Sequence, residues 1–260
     1  MGSINNNETV KKQYANADKL NARISIHDKY STNKLGFGNW ILSNYKIENG
    51  MKVLELGCGT GSMWKGHEEL IACCGRIVMS DFSEGMLDSA RENIGEYDNV
   101  EYRVIDICDI PYEDDTFDIV IANMMLYHVP DMDKALCEVK RVMKDNGRFY
   151  SATYGEHGIV EYLSALFGIY GVEDNINKTF TLQNGAEILG KYFAHVDMLE
   201  YKDSMEVTNI DDMVDYIYTL SGMAALADVP KENVRAILSE NMQDGILRVP
   251  KEYGMFVSAI

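Results

Sequence analysis

The segment from Glu55 to Gly61, ELGCGTG, combines an acidic residue with three glycines and has the composition of a cofactor-binding loop. Glycine permits a tight turn and lets a ligand approach the backbone closely. Asp81 follows about twenty residues later, at the spacing where a carboxylate accepts hydrogen bonds from ribose hydroxyls. Together the two features predict a binding site for a cofactor that contains a ribose.

The spacing of the glycines separates two classes of cofactor. The dinucleotide fingerprint is GxGxxG, in which the third glycine is spaced for a pyrophosphate at a helix N-terminus. Residues 57–61 instead read GxGxG and come shortly after Glu55. This loop favours a compact cofactor that carries an amino acid, and a dinucleotide oxidoreductase remains as an alternative.

Alternating apolar and amphipathic segments predict the elements that position this loop. Strand KVLEL ends at the loop, a helical segment runs from the loop through Cys74, and strand RIVMSD ends at Asp81. Ser83 is the predicted N-cap of the next helix. The predicted strands cover 52–56, 76–81, 100–106, 117–123, 147–154, 194–201 and 253–260, and further helices cover 83–94, 132–143 and 184–193. Short connections between alternating strands and helices predict an α/β fold with a parallel, doubly wound sheet.

Two helical insertions interrupt this alternation. We therefore predict a single domain whose insertions, together with the N-terminal segment, cap the mouth of the sheet. Its parts are an N-terminal cap (1–45), a cofactor-binding core (46–154), two lid insertions (155–183 and 207–245) and the C-terminal part of the sheet (184–206 and 246–260). Apolar and aromatic side chains in the insertions suit the wall of a pocket for a small organic molecule, although helix packing explains them equally well.

Composition narrows the range of partners. The formal charge is −17, which repels phosphate backbones, and no basic patch is visible, so we expect no nucleic-acid partner. Since no run approaches the roughly 20 apolar residues of a membrane span, and the start lacks a signal peptide's apolar region, we expect a cytoplasmic protein without a membrane partner. Five cysteines without a CxxC pair predict reduced thiols and no metal site. A monomer and a homodimer both remain possible.

The order of these motifs resembles the class I methyltransferases that use S-adenosylmethionine, specifically the type 11 group, which acts on small molecules. The resemblance rests on ExGxGxG, Asp81, Asp106 and the block FDIVIANMMLYHVPD, and it covers Arg23 to Tyr154 well. It implies a Rossmann-like, seven-stranded, mostly parallel sheet whose last strand is antiparallel, with helical lid insertions. It also implies an enzyme that converts S-adenosylmethionine to S-adenosylhomocysteine.

By this resemblance, the cofactor lies at the ends of the strands. The implied cofactor-binding residues are Arg23, Tyr30, Glu55, Gly57, Cys58, Gly59, Gly61, Asp81, Phe82, Met86, Asp106, Ile107 and Asn123. The loop backbone would hold the methionine part, Asp81 the ribose, and Asp106 with the Ile107 amide the adenine. Phe82 and Met86 would flank the cofactor, and the backbone of Asn123 would take its amino group.

The stretch ARISIHDKYSTNKLGFGNW is similar to the N-terminal segment that closes over the cofactor in this group. This similarity makes Arg23, Tyr30 and Trp40 further candidate contacts. For Arg23 and Trp40, surface pairing and core packing are equally good explanations.

Methyl transfer from a sulfonium is an in-line displacement, so alignment of the reactants and exclusion of water can supply most of the catalysis. A base is needed only if the acceptor carries a proton. His128 is the candidate catalytic residue because an unperturbed histidine titrates near pH 6.5, and ordering of the loop before Pro130 is its alternative role. His157 is a second candidate base.

The predicted acceptor is the N or O atom of a small organic metabolite. Asn123 is followed by Met124, Met125 and Leu126 rather than by the Pro-Pro-aromatic run of amide and nucleobase methyltransferases. C-methylation of a quinone-like ring and a non-catalytic, S-adenosylmethionine-binding regulator are the alternatives.

Overall fold

The computed structural model describes residues 25–260 and contains a seven-stranded sheet of order β3-β2-β1-β4-β5-β9-β6. Its strands are β1 (Lys52–Leu56), β2 (Arg76–Asp81), β3 (Val100–Val104), β4 (Phe117–Ile121), β5 (Met143–Tyr154), β6 (His195–Tyr201) and β9 (Tyr253–Ala259). A separate antiparallel ribbon joins β7 (Ser204–Val207) to β8 (Leu247–Pro250). Residues 25–30 are α-helical, and the further α-helices are α1 (Phe37–Asn44), α2 (Glu68–Cys73), α3 (Glu84–Ile94), α4 (Met132–Val142), α5 (Ile159–Phe167), α6 (Gly185–Leu189), α7 (Ile210–Ile217) and α8 (Lys231–Glu240).

Strand β1 is an interior strand of the sheet and pairs in parallel with β2 on one side and β4 on the other. Val53, Leu54 and Leu56 are fully or almost fully buried, as expected for a strand that is covered on both faces. The chain adds β2 and β3 on one side of β1 and then adds β4 and β5 on the other side. The loops that follow β1 and β4 therefore leave toward opposite faces of the sheet. Such a point creates a crevice outside the carboxyl ends of the strands, where α/β proteins bind ligands.

The predicted fold is confirmed: the sheet is Rossmann-like and mostly parallel, and the antiparallel strand is the last one in the chain. This strand, β9, is inserted between β5 and β6. Its Gly254 allows the close approach of β6, because a Cβ there would lie 2.6 Å from the Leu199 carbonyl oxygen.

The chain forms two compact units, which we call the sheet unit and the helical unit. The sheet unit comprises 37–153, 179–200 and 254–260, and the described part of the helical unit comprises 25–36, 154–178 and 201–253. The helical unit has its own apolar core, which includes Leu163, Phe167, Met213, Ile217 and Leu238. The predicted closure of the insertions over the sheet remains a prediction. None of the helices in residues 25–260 is long and apolar enough to cross a bilayer.

Two local predictions were wrong. The expected helix from the glycine loop through Cys74 is a 3₁₀ turn, Ser62–Trp64, followed by the six-residue α2. Gly66 separates the two with a φ of 81°, a left-handed conformation that cannot continue an α-helix. The ribbon of β7 and β8 was missed because each strand has only four residues, too few for alternation to distinguish a strand from a loop.

Candidate cofactor site and active site

The glycine loop after β1 uses its three glycines for two purposes. All three have positive φ: 72° at Gly57, 56° at Gly59 and 66° at Gly61. A Cβ on Gly57 would lie 2.9 Å from Met125 Cγ, and one on Gly61 would lie 2.6 Å from Ile94 Cδ1. A Cβ on Gly59 would meet no described atom within 4 Å. Gly57 and Gly61 therefore permit close packing, whereas Gly59 leaves its face of the loop open to a ligand.

The carboxylate of Asp81 lies at the end of β2 and forms a hydrogen bond with the backbone of the glycine loop. Its Oδ2 accepts a 3.0 Å hydrogen bond from the Gly59 amide, and its Oδ1 accepts a 2.8 Å bond from the Ser83 amide. Burial raises the pKa of Asp81, and these backbone bonds oppose the increase. Since an ionised carboxylate has about four lone-pair sites, it can still accept hydrogen bonds from a ligand.

Glu55 is buried at the end of β1, with 3% of its surface exposed. Its Oε2 accepts a 2.6 Å hydrogen bond from the Trp64 indole N–H. Burial raises the pKa of Glu55 to about 7; the indole bond lowers the pKa, and the neighbouring Asp81 charge raises it further. Trp64 was not among the predicted site residues, and no local pattern in the sequence marks it as a partner of Glu55.

Asn123 follows β4 on the other side of β1, and both ends of its side-chain amide form hydrogen bonds. Nδ2 donates to the Tyr45 hydroxyl at 2.6 Å, and Oδ1 accepts from the Ala152 amide at 3.2 Å. The next residue, Met124, has a φ of 52°. A left-handed backbone is rare for a bulky side chain and is found preferentially at functional sites. Tyr45 is a second residue that sequence reasoning missed.

Exposed apolar side chains lie at the carboxyl ends of β2 and β3. Val104, which ends β3, is in register with Asp81 and is 51% exposed. Phe82 directly follows Asp81 and is 43% exposed, and Met86 is half-buried in the first turn of α3. Exposed apolar side chains at the carboxyl ends of adjacent strands provide a surface for a planar, apolar ligand group.

The turn after β3 contains two further predicted contacts. Asp106 is exposed, and its Oδ1 accepts a 2.8 Å hydrogen bond from the Cys108 amide. The side chain of Ile107 is 6% exposed and belongs to the buried core. The structure therefore brings the loop, Asp81 and this turn to the same edge of the sheet.

The structure describes three of four further predicted residues. Arg23 is outside the described residues. Tyr30 belongs to the helical unit, where its hydroxyl donates to Asp212. His157 also belongs to that unit, and its exposed ring lies 3.2 Å from a Glu161 carboxylate oxygen. Trp40 is in α1 and stacks on Phe37, with 5.8 Å between ring centroids.

His128 ends a 3₁₀ turn after β4, Leu126–His128. Both of its ring nitrogens are buried, and burial lowers the pKa of the imidazole below 6.5. Its ring centroid lies 4.5 Å from that of Tyr127. The imidazole is consequently neutral at pH 7, which is the form a general base requires, although a lower pKa makes it a weaker base.

The sheet order is Rossmann-like, and an open glycine loop beside a carboxylate at the end of the second strand is the arrangement with which proteins of this fold class bind nucleotide cofactors. Residues 54–151 match the family model of the methyltransferase domain. The chain is 31% identical over 188 residues to the ubiquinone/menaquinone biosynthesis C-methyltransferase of Escherichia coli O1:K1, a match that covers 69% of this chain and 74% of that protein. The chain belongs to the class I S-adenosylmethionine-dependent methyltransferases and is an enzyme of that family.

Solved structures share the fold at low sequence identity. The YcgJ protein of Bacillus subtilis has a TM-score of 0.54 and 16% identity, with 85% of this chain and 96% of that chain covered. The [4+2]-cyclase SpnF has a TM-score of 0.53 and 14% identity, with 85% and 78% covered. Because one of these proteins is called a cyclase, the fold alone does not specify the reaction.

Proposed function

We propose that this enzyme binds S-adenosylmethionine at the carboxyl ends of β1, β2 and β4 and transfers its methyl group to a small organic acceptor. The observation that carries the proposal is the open face of Gly59 beside Asp81: the loop backbone is accessible to a ligand, and a carboxylate lies next to it. The remaining proposed contacts are Glu55, Gly57, Cys58, Gly61, Phe82, Met86, Asp106, Ile107 and Asn123.

The chemistry of these residues fits the parts of the cofactor. The free lone pairs of Asp81 suit the two ribose hydroxyls, and the exposed side chains of Phe82 and Val104 suit the faces of an adenine. The Glu55 carboxylate lies beneath the loop, where it would attract the cationic groups of the cofactor. When bound, the cofactor supplies an electrophilic methyl group on a sulfonium.

The contribution of this chain is alignment and exclusion of water, since the displacement needs no covalent intermediate with the protein. We propose that the acceptor atom is a nitrogen or an oxygen. His128 lies five residues after Asn123 and would accept the proton of an ammonium or hydroxyl acceptor. Its neutral form at pH 7 supports this role.

C-methylation of a quinone-like ring is the second candidate. The observation in its favour is the similarity to the Escherichia coli C-methyltransferase, which extends over 74% of that protein. The two candidates differ in the bond that forms: a ring carbon gains the methyl group in one, and a heteroatom gains it in the other.

Calorimetric titration with S-adenosylmethionine and S-adenosylhomocysteine tests the cofactor site. We expect Asp81→Ala to weaken binding by about tenfold or more, which corresponds to about 1.4 kcal/mol. Asp88→Ala is the matched control, because Asp88 lies nearby on α3 but points its exposed side chain to Arg91. Absence of binding by the native chain would overturn the proposed site, as would equal binding by the two variants.

An acceptor screen then distinguishes the two reactions. Amines, phenols and quinone-containing lipid extracts are incubated with the enzyme, and S-adenosylhomocysteine formation is followed. The position of the new methyl group in any product is assigned by NMR. A methyl group on a ring carbon would exclude the N- or O-methylation proposal for that acceptor.

A further inference from the structure

Tyr45 contacts residues that follow both the glycine loop after β1 and strand β4. It lies outside the 54–151 match to the family model. It directly follows α1 and is 9% exposed. Its ring centroid lies 4.8 Å from that of Tyr150 and 6.4 Å from that of Trp64. Tyr45 therefore belongs to an aromatic cluster beneath the cofactor loops.

The hydroxyl of Tyr45 bonds to the loop after β4. It accepts the 2.6 Å hydrogen bond from Asn123 Nδ2, and the other end of that amide is held by Ala152. Other parts of the protein thus hold the Asn123 side chain. The Asn123 backbone lies just beyond the carboxyl end of β4, next to Met124, which has a left-handed conformation. Such a conformation persists only when its neighbours hold it in place.

The ring of Tyr45 also contacts the other loop. Trp64, on which the ring packs, belongs to the 3₁₀ turn after the glycines and donates to Glu55. Glu55 lies near the carboxyl end of β1, and Asn123 lies two residues after the end of the adjacent strand β4. One side chain therefore links the loop that would hold the methionine part of the cofactor to the backbone that would take its amino group.

The charge state of Tyr45 restricts what it can do. Burial raises its pKa well above 10, and the nearby Glu55 charge raises it further, while the bond from Asn123 lowers it. Tyr150 also faces the ring and raises the pKa. The hydroxyl is consequently protonated throughout the neutral range, so it acts as a hydrogen-bonding group and not as a base.

We propose that Tyr45 is a positioning residue for the cofactor's amino-acid end: by fixing the Asn123 side chain, it holds the Asn123 and Met124 backbone in the geometry that binds the cofactor. The inference rests on the proposed function, because it assigns a support to that same site. It predicts that loss of one hydroxyl outside the glycine loop weakens cofactor binding.

Tyr45→Phe and Tyr150→Phe form a matched pair for the test. Each variant deletes one hydroxyl in the same aromatic cluster, but the Tyr150 hydroxyl accepts from the Lys46 amide and does not contact Asn123. We expect Tyr45→Phe to weaken S-adenosylmethionine and S-adenosylhomocysteine binding about tenfold, and Tyr150→Phe to change it less than about twofold. Circular dichroism and thermal melting check that both variants are folded at the titration temperature.

A double-mutant cycle separates positioning from a general loss of packing. Asn123→Ala retains the backbone but removes the amide that Tyr45 holds, so adding Tyr45→Phe to Asn123→Ala should weaken binding less than about twofold further. Additive effects of the two substitutions would overturn the inference. If Tyr45→Phe fails to fold, Asn123→Ala decides alone: a loss of about tenfold supports the inference and a change below about twofold overturns it.

The outcomes also separate this inference from the proposed function. Failure of the native chain to bind either cofactor form would overturn both. Tight binding by the native chain and equal binding by Tyr45→Phe would overturn only the role of Tyr45.

Discussion

The indole N–H of Trp64 donates a 2.6 Å hydrogen bond to the buried carboxylate of Glu55, directly beneath the glycine loop. Among the side chains of the described residues, Trp64 alone donates a hydrogen bond to this carboxylate. Burial raises the pKa of Glu55 to about 7. The group is therefore balanced between its neutral and ionised forms at neutral pH. A cationic ligand above it would shift this balance toward the ionised form.

Cofactor binding should depend on pH because of this balance. The ligand favours the ionised carboxylate, so the affinity for S-adenosylmethionine should rise as the pH increases from about 6 to about 8, with a proton released on binding in that range. Calorimetry in buffers of different ionisation enthalpy measures the released proton directly. Glu55→Gln, which cannot ionise, should release less; equal proton release by both proteins would contradict the prediction.

The same carboxylate should reduce the stability of the fold at high pH. The pKa of Glu55 rises from 4.5 to about 7 on folding, so the folded state binds the proton more tightly. The stability contributed by protonated Glu55 is present below the unfolded pKa and is lost as the pH rises through the folded pKa. Glu55→Gln should thus match the native chain in urea denaturation near pH 4 and exceed it near pH 8, by at most about 3 kcal/mol. A constant difference across pH would exclude this origin.

The glycines of the loop should respond differently to a methyl group. Gly61→Ala forces a Cβ to 2.6 Å from Ile94 and 3.1 Å from Ala90, so we expect a loss of about 2 to 3 kcal/mol of stability. Gly59→Ala meets open space and should cost only the left-handed backbone penalty, about 1 to 2 kcal/mol. Gly59→Ala should nevertheless weaken cofactor binding about tenfold, because the added methyl group lies on the open face of the loop where we propose that the cofactor binds.

Gly50→Ala is the matched control for the backbone penalty. Gly50 has a φ of 83° and equally open surroundings, but it lies in the turn before β1. It should lose a similar amount of stability in chemical denaturation with no change in cofactor affinity by calorimetry. Loss of affinity in Gly50→Ala would show that strain, and not contact with the ligand, explains Gly59→Ala.

The sheet and the glycine loop could be predicted from the sequence because both depend on local patterns. The runs around Val53 and Ile119 are short, apolar and followed by turn residues, which is typical of buried parallel strands. The loop was recognisable because each required residue type is close to the next in the chain. The ends of the helices were less predictable, as the break at Gly66 illustrates.

The supports of the site could not be predicted because they join residues that are distant in the chain. Tyr45 and Asn123 are 78 positions apart, and neither residue type indicates the other. Trp64 is only nine positions from Glu55, yet the bond depends on the 3₁₀ turn that replaced the expected helix. Long-range hydrogen bonds of this kind follow from the tertiary fold and leave no periodic signal.

A buried ion pair in the helical unit joins Lys251 to Asp203. Lys251 Nζ donates to an Asp203 carboxylate and to the Ser31 hydroxyl, and the side chains of Lys251 and Asp203 are 5% and 0% exposed. The other Asp203 oxygen accepts from the amides of Asn33, at 3.0 Å, and Ser204, at 2.8 Å. Burial raises the pKa of Asp203, but the bonds from Lys251 and the Asn33 amide outweigh it and hold the pKa below its usual value. The pair thereby ties residues 31–33 to the start of β7.

Removing one partner should destabilise the protein strongly. Lys251→Met leaves an ionised carboxylate buried without its cation, which typically costs about 3 to 5 kcal/mol. Because the folded pKa of Asp203 is depressed, its contribution is present above the unfolded pKa and is lost as the pH falls through the folded value. The deficit of Lys251→Met in urea denaturation should therefore be larger at pH 7 than at low pH. Adding Asp203→Asn to Lys251→Met removes the uncompensated charge and should restore part of the stability; a double variant less stable than Lys251→Met alone would show that packing, and not charge, accounts for the loss.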